Sequence, residues 1–139
     1  MISEKIIEKA SKILKNNNIH SHEIDAQLIL SDIMKVGREY LITNNKVPIS
    51  EKIQGQYDIA ISRRVKKEPI AYITGKKEFW SADFLVNYET LIPRPETELL
   101  IYKLIGYFKN KKINILDIGT GSGCILLSIL RELNNSRGI

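Results

Sequence analysis

Cysteine is almost missing from this chain: Cys124 is the only one in 139 residues, so no internal disulfide can form. Histidine is nearly as scarce. His20 and His22 stand without a thiol or carboxylate cluster around them, which leaves no spacing suited to a structural metal. No long apolar run occurs either: the longest, 124–130, is interrupted by Ser128 and falls far short of the roughly 18 residues a bilayer span needs. The opening Met1-Ile2-Ser3-Glu4-Lys5 alternates charge at once and lacks the basic-then-apolar plan of a secretory signal. A cytoplasmic protein with no membrane segment is therefore the expectation.

What is plentiful is positive charge. The formal net charge is +5, a balance that would suit a partner rich in phosphate or carboxylate. The excess falls at Arg63, Arg64, Lys66 and Lys67, then at Lys76 and Lys77, then at Lys109, Lys111 and Lys112. We read these runs as solvated faces and as favourable charges at helix C-termini.

The first half carries helical periodicity. Ile6, Ala10, Ile13 and Leu14 recur at helical spacing from a Ser3 cap to the Asn16-Asn17-Asn18 stop. Ser21 is the expected cap of a second helix, with Ile24, Leu28 and Ile33 as its buried stripe and Gly37 as its left-handed end. A short segment over Arg38–Thr43 follows. Pro48 and Ser50 then open a longer helix whose inner face is Ile53, Tyr57, Ala60, Ile61 and Val65. Beyond Ala71 the composition turns to strand formers, Tyr72, Ile73, Phe79, Trp80, Phe84, Leu85 and Val86, punctuated by Gly75, and predicts two short strands in a hairpin. Pro93 and Pro95 fix an extended stretch before helical spacing resumes over 96–108. Ile113-Asn114-Ile115-Leu116 reads as a strand, followed by a glycine loop and a helix over 124–133.

That loop, Asp117-Ile118-Gly119-Thr120-Gly121-Ser122-Gly123, sets an acid and three alternating glycines between strand and helix. Glycine permits a sharp turn and a close backbone approach to a ligand, while the helix behind it offers free N–H groups. A nicotinamide-type G-x-G-x-x-G/A pattern would put Cys124 at its third position, a partial fit. A P-loop fails, because no Gly-Lys-Ser/Thr closes the run. Asp117 separates the remaining options: a carboxylate repels a pyrophosphate but attracts a sulfonium cofactor that also carries an ammonium group. The loop thus favours S-adenosylmethionine.

Three flanking runs go further. Glu68-Pro69-Ile70-Ala71-Tyr72-Ile73-Thr74-Gly75, Glu78-Phe79-Trp80 and Leu91-Ile92-Pro93-Arg94-Pro95-Glu96-Thr97-Glu98 resemble the signature of the release factor glutamine methyltransferases, the HemK/PrmC family. Asp25-Ala26-Gln27-Leu28-Ile29-Leu30 is similar to part of that family's N-terminal bundle, so the resemblance covers nearly the whole chain. It implies an α plus α/β fold in three parts: a helical recognition domain over 1–67, a β-hairpin and proline-rich linker over 68–95, and over 96–139 the first strand and helix of a Rossmann-like methyltransferase domain. It implies methylation of the side-chain amide of the Gly-Gly-Gln glutamine in class I release factors. The cofactor contacts it implies are Asp117, Gly119, Thr120, Gly121, Ser122 and Gly123, joined by Arg94, Glu96 and Thr97 beside the pocket. The bare-residue reading of the last group is that the prolines set a linker angle while Glu96 and Glu98 complement the helix N-terminus.

No catalytic residue is assigned. The family's Asn-Pro-Pro-Tyr substrate loop does not occur among Pro48, Pro69, Pro93 and Pro95, and no second strand ending in a ribose-binding acid is expected before Ile139. The chain alone is therefore expected to be a truncated and inactive form whose single strand, 113–118, has no partner. Cys124 reads as a small packing residue, and Phe79 and Trp80 as side chains bridging two domains rather than stacking on a base. Two other readings compete with the enzyme: a nonenzymatic helical interaction module that keeps the recognition half, and a nucleic-acid methyltransferase, which the flanking runs disfavour. Direct nucleic-acid binding is not expected.

Overall fold

The computed structural model describes all 139 residues. They form a mostly helical protein with two small sheets, divided into two compact units, Met1–Thr74 and Gly75–Ile139.

The first unit is built from α1 (Ser3–Asn16), α2 (His22–Met34), α3 (Arg38–Thr43), α4 (Glu51–Val65) and the short α5 (Ile70–Thr74). Its core joins Ile6, Ala10 and Leu14 of α1, Ala26, Ile29 and Leu30 of α2, Leu41 of α3, and Tyr57, Ala60 and Ile61 of α4. Ser50 caps α4 as expected, its Oγ accepting from the Ile53 N–H at 3.3 Å. Other expectations fail for identifiable reasons. Ser3 is not a cap: it is buried as the first residue of α1, and its Oγ donates to the Asn45 carbonyl at 2.7 Å, tying the helix start to the chain before Pro48. Ser21 makes no capping bond to the backbone but donates to Asp25 Oδ2 at 2.8 Å.

The inner face of α2 also differs. Ile24 is 49% exposed, whereas Asp25, Ala26, Ile29 and Leu30 are buried. Apolar residues occur on more than one side of this helix, so periodicity alone could not choose between faces, and a carboxylate on the inner face obscured it further. α2 ends not at Gly37 but at Lys35, which takes the left-handed conformation (φ 55°), with the Val36 N–H reaching the Ser31 carbonyl at 3.0 Å. Gly37 is extended and precedes α3.

Tyr72 and Ile73 are helical rather than extended. Pro69 starts the turn, its carbonyl accepting from the N–H groups of Tyr72 (3.0 Å) and Ile73 (3.2 Å), and α5 packs on α2 and α4. Tertiary packing overrides their strand preference.

In the second unit, β1 (Lys76–Phe79) and β2 (Ala82–Leu85) form an antiparallel hairpin in which Phe79 lies opposite Ala82. Phe79 and Phe84 meet edge to face at 6.1 Å and enter a core with Ile101 of α6 (Thr97–Phe108) and Cys124 and Ile129 of α7 (Cys124–Glu132). Cys124 is the buried packing residue expected of it. Both aromatics assigned to a bridge are accounted for inside this unit: Phe79 belongs to its core and Trp80 to its hairpin turn.

The strand before the glycine loop is not alone. β3 (Asn114–Ile115) pairs in parallel with β4 (Arg137–Gly138), α7 lying between them in sequence. Bonds from Arg137 N–H to the Ile113 carbonyl (3.1 Å), Ile139 N–H to Ile115 (3.0 Å) and Asp117 N–H to Ile139 (2.8 Å) carry the pairing past the short strands. The polar run 134–138 gave no apolar signal for a strand, which is why β4 was not anticipated.

Candidate cofactor loop and its surroundings

The loop between β3 and α7 depends on its glycines. Gly119, Gly121 and Gly123 have φ of 78°, 56° and 76°, values that carry a steric penalty for residues with a Cβ. A Cβ built on Gly119 would meet nothing within 4 Å. Backbone conformation, not crowding by the protein, is what demands glycine there. Gly123 closes the loop, its N–H donating to the Thr120 carbonyl at 2.8 Å, and occupies the N-cap position of α7. The first N–H groups of the helix, from Cys124 onward, have no carbonyl one turn back to bond.

Two side-chain atoms in this stretch are buried without a hydrogen-bond partner: Asp117 Oδ2 and Ser122 Oγ. Orphaned buried polar atoms are uncommon in folded proteins and call for an explanation. A carboxylate oxygen, a hydroxyl and free helix N–H groups on one loop fit a ligand that bears both cationic and hydrogen-bonding groups, so the residues present suit S-adenosylmethionine. Thr120 is exposed.

Arg94, Glu96 and Thr97 lie earlier in the same unit, between the hairpin and α6. The Thr97 N–H donates to the Arg94 carbonyl at 3.0 Å, forming the turn that opens α6. Arg94 and Glu96 are exposed and Thr97 half-buried, and no side-chain hydrogen bond or ion pair joins the three to 117–123. Glu98, read from sequence as a helix-terminus charge, has a more specific role. Its Oε1 accepts from the backbone N–H of Trp80 at 2.9 Å. Nothing in the spacing of Glu98 and Trp80 could have revealed that pair.

The basic runs between 63 and 77 are largely used up internally. Arg63 forms a two-pronged contact with Glu68, Nε at 2.9 Å and Nη2 at 2.5 Å, and Arg64 Nε meets the buried Asp25 carboxylate at 2.7 Å. Arg64 Nη1 also donates to the Glu68 carbonyl at 3.0 Å, Lys67 donates to the carbonyls of Asn17 and Asn18, and Lys76 pairs with Asp83 at 3.4 Å. Of these basic residues between 63 and 77, only Lys66 and Lys77 lack such a partner. Tyr57, buried, donates to the Ala26 carbonyl at 2.9 Å. Burial, with the neighbouring Asp58 carboxylate adding to it, holds its phenol well above the usual range.

A helical unit followed by a strand, a glycine loop and a helix defines a class by its architecture: a helical bundle and, after it in the chain, a small α/β unit. The PrmC N-terminal domain matches residues 5–75, nearly coincident with the first compact unit, and the chain belongs to that family. It is 41% identical over 123 residues to a protein of Buchnera aphidicola subsp. Schizaphis graminum named release factor glutamine methyltransferase, covering 88% of this chain and 44% of that one. A Clostridium acetobutylicum protein of the same name is 43% identical over 124 residues, with 88% and 44% covered. A Rickettsia typhi protein named bifunctional methyltransferase is 35% identical over 152 aligned positions, with 96% and 29% covered. Matches covering 88% of the chain must run well beyond Thr74. The chain spans less than half the length of these curated relatives. No helix is long and apolar enough to cross a membrane.

Proposed function

We propose that this chain is the release-factor-recognising and cofactor-loop portion of a methyltransferase that modifies the side-chain amide of the Gly-Gly-Gln glutamine in class I release factors, in the cytoplasm. The observation that carries the proposal is the loop: three left-handed glycines between a parallel strand and a helix, flanked by the orphaned Asp117 Oδ2 and Ser122 Oγ. The names of the relatives support it, and the internal pairing of Arg63, Arg64, Lys67 and Lys76 weighs against those side chains serving a nucleic-acid substrate. In this reading the helices of 1–67 bind the release factor and the second unit begins a Rossmann-like sheet.

Asp117 draws the cationic part of S-adenosylmethionine, the glycines let the backbone approach it, and the α7 N-terminus donates to its polar groups. When bound, S-adenosylmethionine supplies a methyl made electrophilic by its sulfonium. Arg94, Glu96 and Thr97 line the approach. Holding the acceptor amide requires carbonyl or carboxylate partners for both of its N–H groups, and no Asn-Pro-Pro-Tyr run stands in these 139 residues to provide them. The chain by itself is therefore expected to transfer no methyl group.

Joining this chain to the remaining portion of the Clostridium acetobutylicum relative tests the proposal. The chimaera should label a release factor from methyl-labelled S-adenosylmethionine, and Gly121→Val should abolish labelling while leaving the helical content intact. A folded chimaera that leaves the release-factor glutamine unlabelled would overturn the assignment, as would label transferred by the 139 residues alone.

A further inference from the structure

The glycine loop leaves one concavity of the second unit unexplained. A cleft of about 610 Å³ opens where α6 and α7 end, walled by Trp80, Tyr102, Ile105 and Leu133 and floored by the residues that follow each helix. Its size lies within the range of small-molecule sites, roughly 300–1,000 Å³. α7 is nine residues long, about 13 Å, and the glycine loop sits at its other end, so the two sites are separate.

Three features give the cleft a chemistry. The first is a fixed aromatic wall. Trp80 occupies a two-residue hairpin turn in which both it and Ser81 have positive φ (49° and 55°), a conformation that normally selects Asn-Gly. It is held there by Glu98 on its N–H, Arg131 on its carbonyl at 2.5 Å, and Glu132 on its indole Nε1 at 2.9 Å. A ring already immobilised loses little entropy on stacking. Tyr102, largely exposed, provides a second ring.

The second feature is charge. Lys109 and Lys111 line the cleft, Lys103 and Lys112 lie close by in sequence, and no acid occurs between 101 and 116. Lys111 Nζ stands 4.7 Å over the Tyr107 ring and has no carboxylate partner. Glu132 is the one acid in the lining, and it is engaged by the indole. The third is a polar rim: the side-chain amides of Asn110, Asn134 and Asn135 line the cleft where the two helices end, able to donate as well as accept hydrogen bonds.

We propose that this cleft binds a nucleotide, free or at an unpaired position of RNA. The base stacks on Trp80 and Tyr102, the lysines take the phosphate, the asparagine amides bond the base edge, and the larger ring area of a purine favours it over a pyrimidine. Full lysine charges outweigh the partial negative charge of the helix ends for the phosphate, and stacking on the two rings sets the preference for a purine.

Trp80 is the only tryptophan in the chain, so its emission reports on this site alone. Adenosine monophosphate and a short oligoadenylate, titrated at low salt into the full chain, should quench it saturably, and uridine monophosphate should bind several-fold more weakly. A stronger response to the oligonucleotide identifies RNA as the source, and an equal response the free nucleotide. Lys109→Glu with Lys111→Glu should weaken binding roughly tenfold or more without moving the thermal midpoint, and Gly121→Val should leave it unchanged. No quenching and no calorimetric heat with either nucleotide up to millimolar concentration would overturn the proposal, as would equal affinity in the charge-reversed variant. A response to an acidic peptide but not to nucleotides would overturn it in favour of a protein ligand.

Discussion

The two units differ in how well each covers itself. Met1–Thr74 buries thirteen apolar residues, Ile6 and Tyr57 among them, and leaves six large ones exposed, whereas Gly75–Ile139 buries seven and exposes eleven. The helical unit closes its polar accounts as well, with Asp25, Arg64, Arg63 and Glu68 paired across α2, α4 and the start of α5. In the second unit Leu116 and Ile118, flanking Asp117, are 70% and 87% exposed, although parallel strands are ordinarily covered on both faces. The two-stranded parallel sheet thus keeps an uncovered apolar face beside it, and that difference predicts which half stands alone.

Separating the halves should have the largest effect. A piece ending at Thr74 should melt cooperatively, with stability of about 3–5 kcal/mol as is usual for small single-core domains, while residues 75–139 alone should show no cooperative transition by circular dichroism. A cut after residue 67 should be measurably weaker than one after Thr74, because it removes Glu68 from both arginines. A sharp melt from 75–139 would erase the contrast between the units.

Next in size is the Arg64–Asp25 pair, whose side chains are 17% and 6% exposed. Arg64→Ala leaves a buried carboxylate with only Ser21 to satisfy it, a loss of about 3–5 kcal/mol, enough to unfold the isolated first unit. The more exposed Lys35–Asp32 pair of the same unit should contribute under about 1 kcal/mol, so Lys35→Ala is the matched control in urea denaturation.

The bundle was legible because Ile6, Ala10, Leu14, Tyr57 and Ile61 repeat with the helical period and sit where that period places them. The glycine loop was legible because an acid and three glycines at alternate positions are a dense local signal. What escaped were long-range pairings. Arg64 with Asp25 and Trp80 with Glu132 are separated by 39 and 52 residues, and β4 is made by backbone bonds from a polar segment. The three left-handed glycines could be anticipated from residue type, but positive φ at Trp80, Ser81 and Lys35 could not, since those residues adopt it only under tertiary constraint.

A smaller effect is expected at Tyr57. Tyr57→Phe removes the bond to the Ala26 carbonyl and should cost about 1 kcal/mol. Its raised folded pKa means the native state resists ionisation. The corresponding stability is complete below the unfolded value of about 10 and declines as pH rises above it, so the wild-type first unit should lose stability in strong alkali more steeply than the phenylalanine variant. Parallel alkaline limbs in the two proteins would contradict a buried phenol.

The smallest stability change should come from Ile118→Ser, within about 0.5 kcal/mol because the side chain is already solvated. Its effect should appear instead in sedimentation, as reduced concentration-dependent association of the full chain. Ile59→Ser, at an exposed position of the better-covered first unit, should leave association unchanged. Equal effects from both would show that the second unit's exposed apolar surface is nothing special.

The hairpin turn at Trp80–Ser81 also has a consequence for the order of assembly. A two-residue turn of this hand ordinarily forms early because Asn-Gly already favours it, but here its tethers, Glu98, Arg131 and Glu132, lie on α6 and α7. The strands therefore have to wait until both helices are in place, and β1 and β2 are expected to join after the rate-limiting step. Glu98→Ala should then hasten unfolding and leave the refolding rate nearly unchanged, whereas replacing Trp80–Ser81 with Asn–Gly should free the hairpin from that dependence. A refolding arm slowed by Glu98→Ala as much as its unfolding arm is hastened would place the hairpin in the nucleus instead.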